Sequence, residues 1–185
     1  SGQVQELADW VQYVNFSGTS PMSDLRVKNG REKPWTVKFW GVGNEAWGCG
    51  GNMTADYYAD TYKKYATFMT DYTNGNLYRI ASGANGDNYE WTETLMKKIP
   101  KNLVKGLALH YYCVIDWDHK GPAINFTDEQ YFKTMKAAWF MEELIEKHSA
   151  IMDKYDPKKE IALVVDEWGA WYDAEPDEKE SVLYQ

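Results

Sequence analysis

Apolar side chains at Val4, Leu7, Val11 and Val14 recur at the spacing of one helical face, so the chain opens on a helix. Polar residues broken by glycine and proline follow from Asn15 to Pro34, which predicts a long loop with a short helix near Asp24. From Trp35 to Val42 the run is apolar and β-branched without helical spacing, the pattern of a buried strand. Thr54 is an N-cap candidate with Asp56 in the first turn. Tyr58, Tyr62, Tyr65 and Met69 then repeat at helical spacing up to the stop signal Asn74-Gly75-Asn76. Leu77 to Ser82 reads as a second strand leaving into Gly83-Ala84-Asn85-Gly86. Asp87 with Glu90 resembles a capping box, and Trp91, Leu95 and Ile99 face one way before Pro100. Val104 to Tyr112 is the third strand, and a loop runs from Cys113 to Phe126. Thr127 with Gln130 opens a helix reaching about Lys154. Ile161 to Val165 is the fourth strand, ending in Asp166-Glu167-Trp168-Gly169, and an acidic tail without a clear element closes the chain.

Strands alternating with helices imply right-handed crossovers and a parallel sheet. The fold class is therefore α/β, either an open doubly wound sheet or a portion of a (β/α)8 TIM barrel of about four βα units. A full barrel needs about 250 residues, so the second option makes these residues roughly half of one. Active sites of parallel α/β folds form at strand carboxyl ends. All four predicted strands end there in polar or chemically active residues. No G-x-G-x-x-G or phosphate-binding loop follows any strand.

Charge and composition narrow the classes. The 20 basic against 28 acidic residues give a net charge of −8, which argues against a nucleic-acid partner. No run of about 18 apolar residues is present, so no membrane partner is expected, and no cationic-then-apolar leader opens the sequence. Aromatic residues make up 16%. That excess suits stacking on sugar rings, although a rich core plus exposed tyrosines is the favoured account from composition alone. Two cysteines, Cys49 and Cys113, lack metal spacing and are expected as free thiols.

The chemistry centres on two strand ends that each deliver a glutamate, Glu45 and Glu167. Glycoside hydrolysis requires such a pair, one carboxyl protonated to help the leaving oxygen and one ionised to attack carbon or activate water. Asn44 can bind a neighbouring sugar hydroxyl, Trp47, Trp168 and Trp171 can form stacking walls, and His110 and Tyr112 share a strand face. Each has a plainer reading: a strand-end glutamate in a structural ion pair, His110 as a satisfied core histidine. Asp166 is expected on the face opposite Glu167 as a structural acid. Asp116, Asp118 and His119 fit no common metal site and are expected as solvated loop residues.

The runs Gly41-Val42-Gly43-Asn44-Glu45, Trp47-Gly48-Cys49-Gly50-Gly51-Asn52-Met53, Leu109-His110-Tyr111-Tyr112 and Asp166-Glu167-Trp168-Gly169 resemble family 51 of the glycoside hydrolases, the α-L-arabinofuranosidases, as do Ala8-Asp9-Trp10-Val11 and Met22 to Arg31. The resemblance covers essentially the whole chain. It implies a retaining enzyme built on a (β/α)8 barrel with a β-sandwich beside it. Residues 1–185 would be barrel strands four to seven, with the other strands and the sandwich absent from this chain. It further implies Glu45 as acid/base and Glu167 as nucleophile. Asn44 would sit on the sugar 2-hydroxyl, Tyr112 against the nucleophile and His110 in the subsite, with Trp47 and Trp171 bordering the furanose pocket. No cofactor or metal is implied. The substrate would be an arabinose-containing plant oligo- or polysaccharide, and the parent enzyme a homo-oligomer in the bacterial cytoplasm or periplasm. Two rivals stand beside this expectation: an endo-β-glucanase or xylanase on the same barrel, and a catalytically silent sugar-binding fragment.

Overall fold

The computed structural model describes residues 2–174. The predicted acidic tail falls, from residue 175 onward, outside them. Nine elements follow in order: α1 (Val4–Asn15), α2 (Pro21–Lys28), β1 (Phe39–Val42), α3 (Ala55–Phe68), β2 (Tyr78–Asn85), α4 (Tyr89–Lys98), β3 (Gly106–Tyr112), α5 (Asp128–Tyr155) and β4 (Ala162–Gly169). The strands form one parallel sheet in the order β1-β2-β3-β4. A doubly wound sheet reverses its strand order and covers both faces with helices. Here the order never reverses, and α3 packs on α4 and α4 on α5 along one side of the sheet. That is the winding of a barrel segment.

Local chemistry explains the boundaries. Ser20 caps α2 by accepting from the Ser23 amide at 3.1 Å, and Pro21 occupies the first turn, where its missing N–H costs nothing. Thr54 accepts from the Tyr57 amide at 3.3 Å, and Thr127 with Gln130 closes the expected capping box. The helix expected to start at Asp87 is instead capped by Asn88, which accepts from the Trp91 amide at 3.1 Å. The first strand is shorter than its apolar run. Val37 is held by Asn15, which accepts from its amide at 2.7 Å and donates to its carbonyl at 2.8 Å. With those groups taken, residues 35–37 stay outside the ladder, and Lys38 meets it only through its carbonyl, which accepts from the Tyr78 amide at 2.7 Å.

Buried residues of α3 (Tyr58, Ala59, Tyr62, Ala66), α4 (Trp91, Leu95) and α5 (Leu144, Met152) meet Trp40, Val42, Ala81, Leu107 and Leu109 of the sheet. Both edges remain open: Phe39 on β1 is 60% exposed and Trp168 on β4 is 65% exposed.

Two irregularities break the ladders near the strand ends. Between Ala81 and Ala84, β2 carries one more residue than β3 opposite it, and between Val165 and Glu167, β4 carries one more than β3. Such β-bulges turn side chains off the strict alternation. Both lie beside the candidate site.

Candidate active site

Glu45 stands in a tight turn directly after β1. Its backbone is left-handed, with φ of 41°, and its carbonyl accepts from the amides of Gly48 at 2.8 Å and Gly50 at 3.0 Å. Gly50 passes so close to Asn44 that an added Cβ would lie 1.7 Å from the Asn44 carbonyl oxygen, so no other residue fits. The turn is tied to β2 at its bulge. Ser82 Oγ accepts from the Ala46 amide at 3.1 Å, and the Gly83 carbonyl accepts from the Trp47 indole at 3.1 Å. Ser82 is fixed in turn by Tyr58 and Trp91: its amide donates to the phenol at 2.6 Å, and its carbonyl accepts from the indole at 3.1 Å. The glycine-rich motif thus reads physically as a rigid mount for one carboxylate.

His110 and Tyr112 extend from β3 to the same side, as expected. Tyr112 donates to Glu167 Oε2 at 3.1 Å. His110 is not a satisfied core histidine: it is buried among carboxylates. Its Nδ1 lies 3.0 Å from Glu45 Oε1 and 3.5 Å from Glu167 Oε2, and its Nε2 lies 3.2 Å from Asp166 Oδ1. Asp166 therefore departs from the alternation expected of it. It is the extra residue of the β4 bulge, and the bulge turns its carboxylate to His110.

The facing atoms of Glu45, His110 and Glu167 all lie within 4.8 Å of one another. The two glutamates thus face each other closely across the sheet, an arrangement compatible with the carboxyl spacing of about 5–5.5 Å used for double displacement. The same three atoms are close enough to contact one cation. A histidine ligand must be neutral, however, and this ring favours its proton. Burial works against the charge on His110, but the hydrogen bonds to Asp166 and Glu45 and the Glu167 charge outweigh it and raise the ring to about 9. The imidazolium therefore stabilises the fold fully below the ordinary histidine value of about 6.5, and that contribution, on the order of a few kcal/mol, fades as pH rises through about 9. In the full-length protein, the unfolding free-energy difference between wild type and His110→Asn should shrink from pH 6 to pH 10. A difference constant over that range would contradict this.

The other expected residues are distributed unevenly. Asn44 is exposed beside Glu45. Trp47 is half-buried and anchored in the turn. Trp171 meets Tyr112 edge-on at 5.4 Å and Trp117 at 5.8 Å, forming an aromatic wall beside Glu167. Trp168 does not belong to that wall. It pairs in register with Tyr111, whose ring packs on Phe140 of α5, so it lies on the helix side of the sheet. Asp116, Asp118 and His119 are exposed, and Asp116 accepts from the amides of Asp118 at 2.8 Å and His119 at 3.2 Å, closing a loop turn. Both cysteines are free thiols. Cys49 has a contact that its spacing did not suggest: its Sγ donates to Glu45 Oε2 at 3.2 Å, and this bond raises the thiol.

The family model described as the alpha-L-arabinofuranosidase 1 domain matches residues 1–143. The chain is 49% identical, across its whole length, to an intracellular exo-alpha-L-arabinofuranosidase of Bacteroides ovatus. It superposes on the GH51 arabinofuranosidase of Xanthomonas axonopodis pv. citri with a TM-score of 0.92 and 41% identity over 96% of its residues. The chain belongs to the α-L-arabinofuranosidases of glycoside hydrolase family 51. A second family-51 structure, an α-L-arabinofuranosidase from Thermotoga maritima in an arabinose complex, matches 98% of the chain with a TM-score of 0.78 and 27% identity. This family-51 sequence spans about a third of such proteins: 36% of the Bacteroides relative, 36% of the Xanthomonas chain and 35% of the Thermotoga chain. Among its described residues no helix is long and apolar enough to cross a membrane.

Proposed function

We propose that the protein carrying this chain is a retaining exo-acting α-L-arabinofuranosidase that releases terminal arabinofuranosyl groups from plant oligo- or polysaccharides inside the cell. The observation that carries this reading is the meeting of Glu45 and Glu167 across one sheet, with facing oxygens within 4.8 Å and His110 between them. Glu167 is the nucleophile, and the Tyr112 hydroxyl, donating to its Oε2 at 3.1 Å, fixes the orientation of the carboxylate. Glu45 is the acid/base. In the first step Glu167 bonds to the anomeric carbon while Glu45 gives its proton to the departing oxygen. In the second, Glu45 takes a proton from water, the water oxygen bonds to that carbon, and the ester to Glu167 breaks. Two inversions return the original configuration. Asn44, beside Glu45, serves the 2-hydroxyl, and Trp47 and Trp171 border the furanose. Neither step needs a metal or cofactor.

The chain supplies four neighbouring strands with three helices between them, assigned as barrel strands four to seven, and the rest of the barrel and a β-sandwich belong to the remainder of that protein. The exposed Phe39 and Trp168 on the two sheet edges support this, because such edges ordinarily need covering. The names of the curated relatives in Bacteroides ovatus and Bifidobacterium longum, both intracellular exo-acting arabinofuranosidases, support the substrate class and the compartment. The test offers the full-length protein an aryl α-L-arabinofuranoside, an aryl β-glucoside and xylan, with proton NMR of the first-formed sugar. The arabinofuranoside should be cleaved preferentially and α-arabinofuranose should appear first. Preference for glucoside or xylan, or β-arabinofuranose as first product, would overturn the reading.

A further inference from the structure

We propose that Asp166 is a positioning residue that fixes the His110 ring so that the ring and Glu45 together store the proton delivered to the leaving oxygen. The inference rests on the acid/base role given to Glu45 above. An ionised carboxylate only accepts hydrogen bonds, so the 3.2 Å contact to Asp166 Oδ1 places a hydrogen on His110 Nε2. Nδ1 is then the ring atom left to face the glutamates, 3.0 Å from Glu45 Oε1 and 3.5 Å from Glu167 Oε2. Without Asp166 nothing on the Nε2 side distinguishes the ring from its flipped orientation, which would turn a carbon toward Glu45. The contact depends on the β4 bulge, since strict alternation would carry Asp166 to the other face.

The proton count is simple. In the resting site, one proton lies on the short path between His110 Nδ1 and Glu45 Oε1, on the ring with Glu45 ionised or on Glu45 with the ring neutral. Both arrangements keep Nε2–H on Asp166 and differ by no atom and no net charge. Cleavage passes this proton from Glu45 to the leaving oxygen, leaving a neutral ring and a Glu45 carboxylate. Deglycosylation returns one proton from water to the same path. The Asp166 charge raises the proton affinity of the pair, so it sets the pH above which the pair has no proton to give. Among the described residues, the ionisable groups facing the ring are Glu45 from the turn after β1 and Asp166 and Glu167 from β4. Tyr112 reaches Glu167 from the ring's own strand, and Cys49 reaches Glu45 rather than the ring.

The experiment compares pH profiles of kcat/KM for full-length wild type, Asp166→Asn and Asp166→Glu. One aryl arabinofuranoside carries a strongly acidic phenol and the other a weakly acidic one. The alkaline limb of Asp166→Asn should fall by about one pH unit or more, the scale of losing a charge partner at this range. The loss above that limb should be about tenfold or greater on the weakly acidic phenol and small on the strongly acidic one, which leaves without proton assistance. Asp166→Glu, which keeps the charge, should hold the limb near its wild-type position. An even loss at all pH values on both substrates, or a limb that moves equally in both variants, would overturn the proposal. Glu45→Ala and Glu167→Ala serve as references. If both lose turnover on the weakly acidic phenol while the Asp166→Asn limb stays in place, only this proposal fails. If they retain wild-type turnover, the acid/base and nucleophile reading fails with it.

Discussion

Glu167→Ala in the full-length protein should lose arabinofuranosidase turnover by a factor on the order of 10⁶, the scale of removing a covalent nucleophile. The methyl group cannot attack the anomeric carbon, and it leaves a space beneath the sugar bordered by Tyr112 and His110. Azide fits such a space and can attack from the face Glu167 occupied. With an activated aryl arabinofuranoside, azide should therefore restore part of the activity. It should yield the β-arabinofuranosyl azide, since a single displacement inverts the carbon. Glu45→Ala should behave in the complementary way. It should retain the first step on an activated substrate, and azide should give the α product because the Glu167 ester still forms. Product NMR separates the two outcomes. An inverted azide from Glu45→Ala, with none from Glu167→Ala, would exchange the two roles, and full activity of Glu167→Ala would remove the nucleophile from this residue altogether.

Gly83→Ala should be the most damaging small substitution away from the carboxylates. An added Cβ would lie 1.6 Å from the Ala108 carbonyl oxygen on the neighbouring strand, and backbone on both sides prevents an easy shift. The expected loss is at or above the upper end of the roughly 1–3 kcal/mol for overpacking, or a fall of about 10 °C in Tm for a chain of this size. The catalytic consequence should be larger than the thermal one suggests. Gly83 and Ser82 hold Trp47 and Ala46 in the Glu45 turn, so pushing β2 away from β3 also displaces the Glu45 carboxylate. Thermal unfolding followed by circular dichroism, together with kcat on an activated substrate, would measure both. A melting temperature within about a degree of wild type would show that the bulge can absorb the methyl group.

The elements were legible in the sequence wherever an apolar run met a clear stop. Tyr58, Tyr62 and Tyr65 gave away α3, Thr127 with Gln130 marked the start of α5, and the glutamates stood out because each follows a strand. The alternation of strands and helices left two architectures open, since winding direction is a property of how helices pack. Only the unreversed strand order selected the barrel segment. What the sequence hid lies at the two bulges. A period of two placed Asp166 away from Glu167, and no residue type there announces an extra position; Gly83 hints at one, although it read as the end of a strand. Trp168 is a different case: its residue type suggests a wall beside Glu167, although a period of two already carries it to the helix side, where it lies. Asn88 and Asp87 are chemically equivalent as caps, and backbone geometry alone decides between them. The Cys49 contact to Glu45 depends on the left-handed turn, which the glycines permit without specifying.

The left-handed backbone at Glu45 has a consequence for how this protein can be improved. A side chain at φ of 41° costs on the order of 1 kcal/mol or more, and glycine would relieve it. The same change would remove the carboxylate that faces the His110 ring at 3.0 Å and helps to stabilise the imidazolium. Relief of strain and loss of an ion pair therefore oppose each other here, so a hardier protein bred from this scaffold has to be selected for turnover as well as for heat resistance.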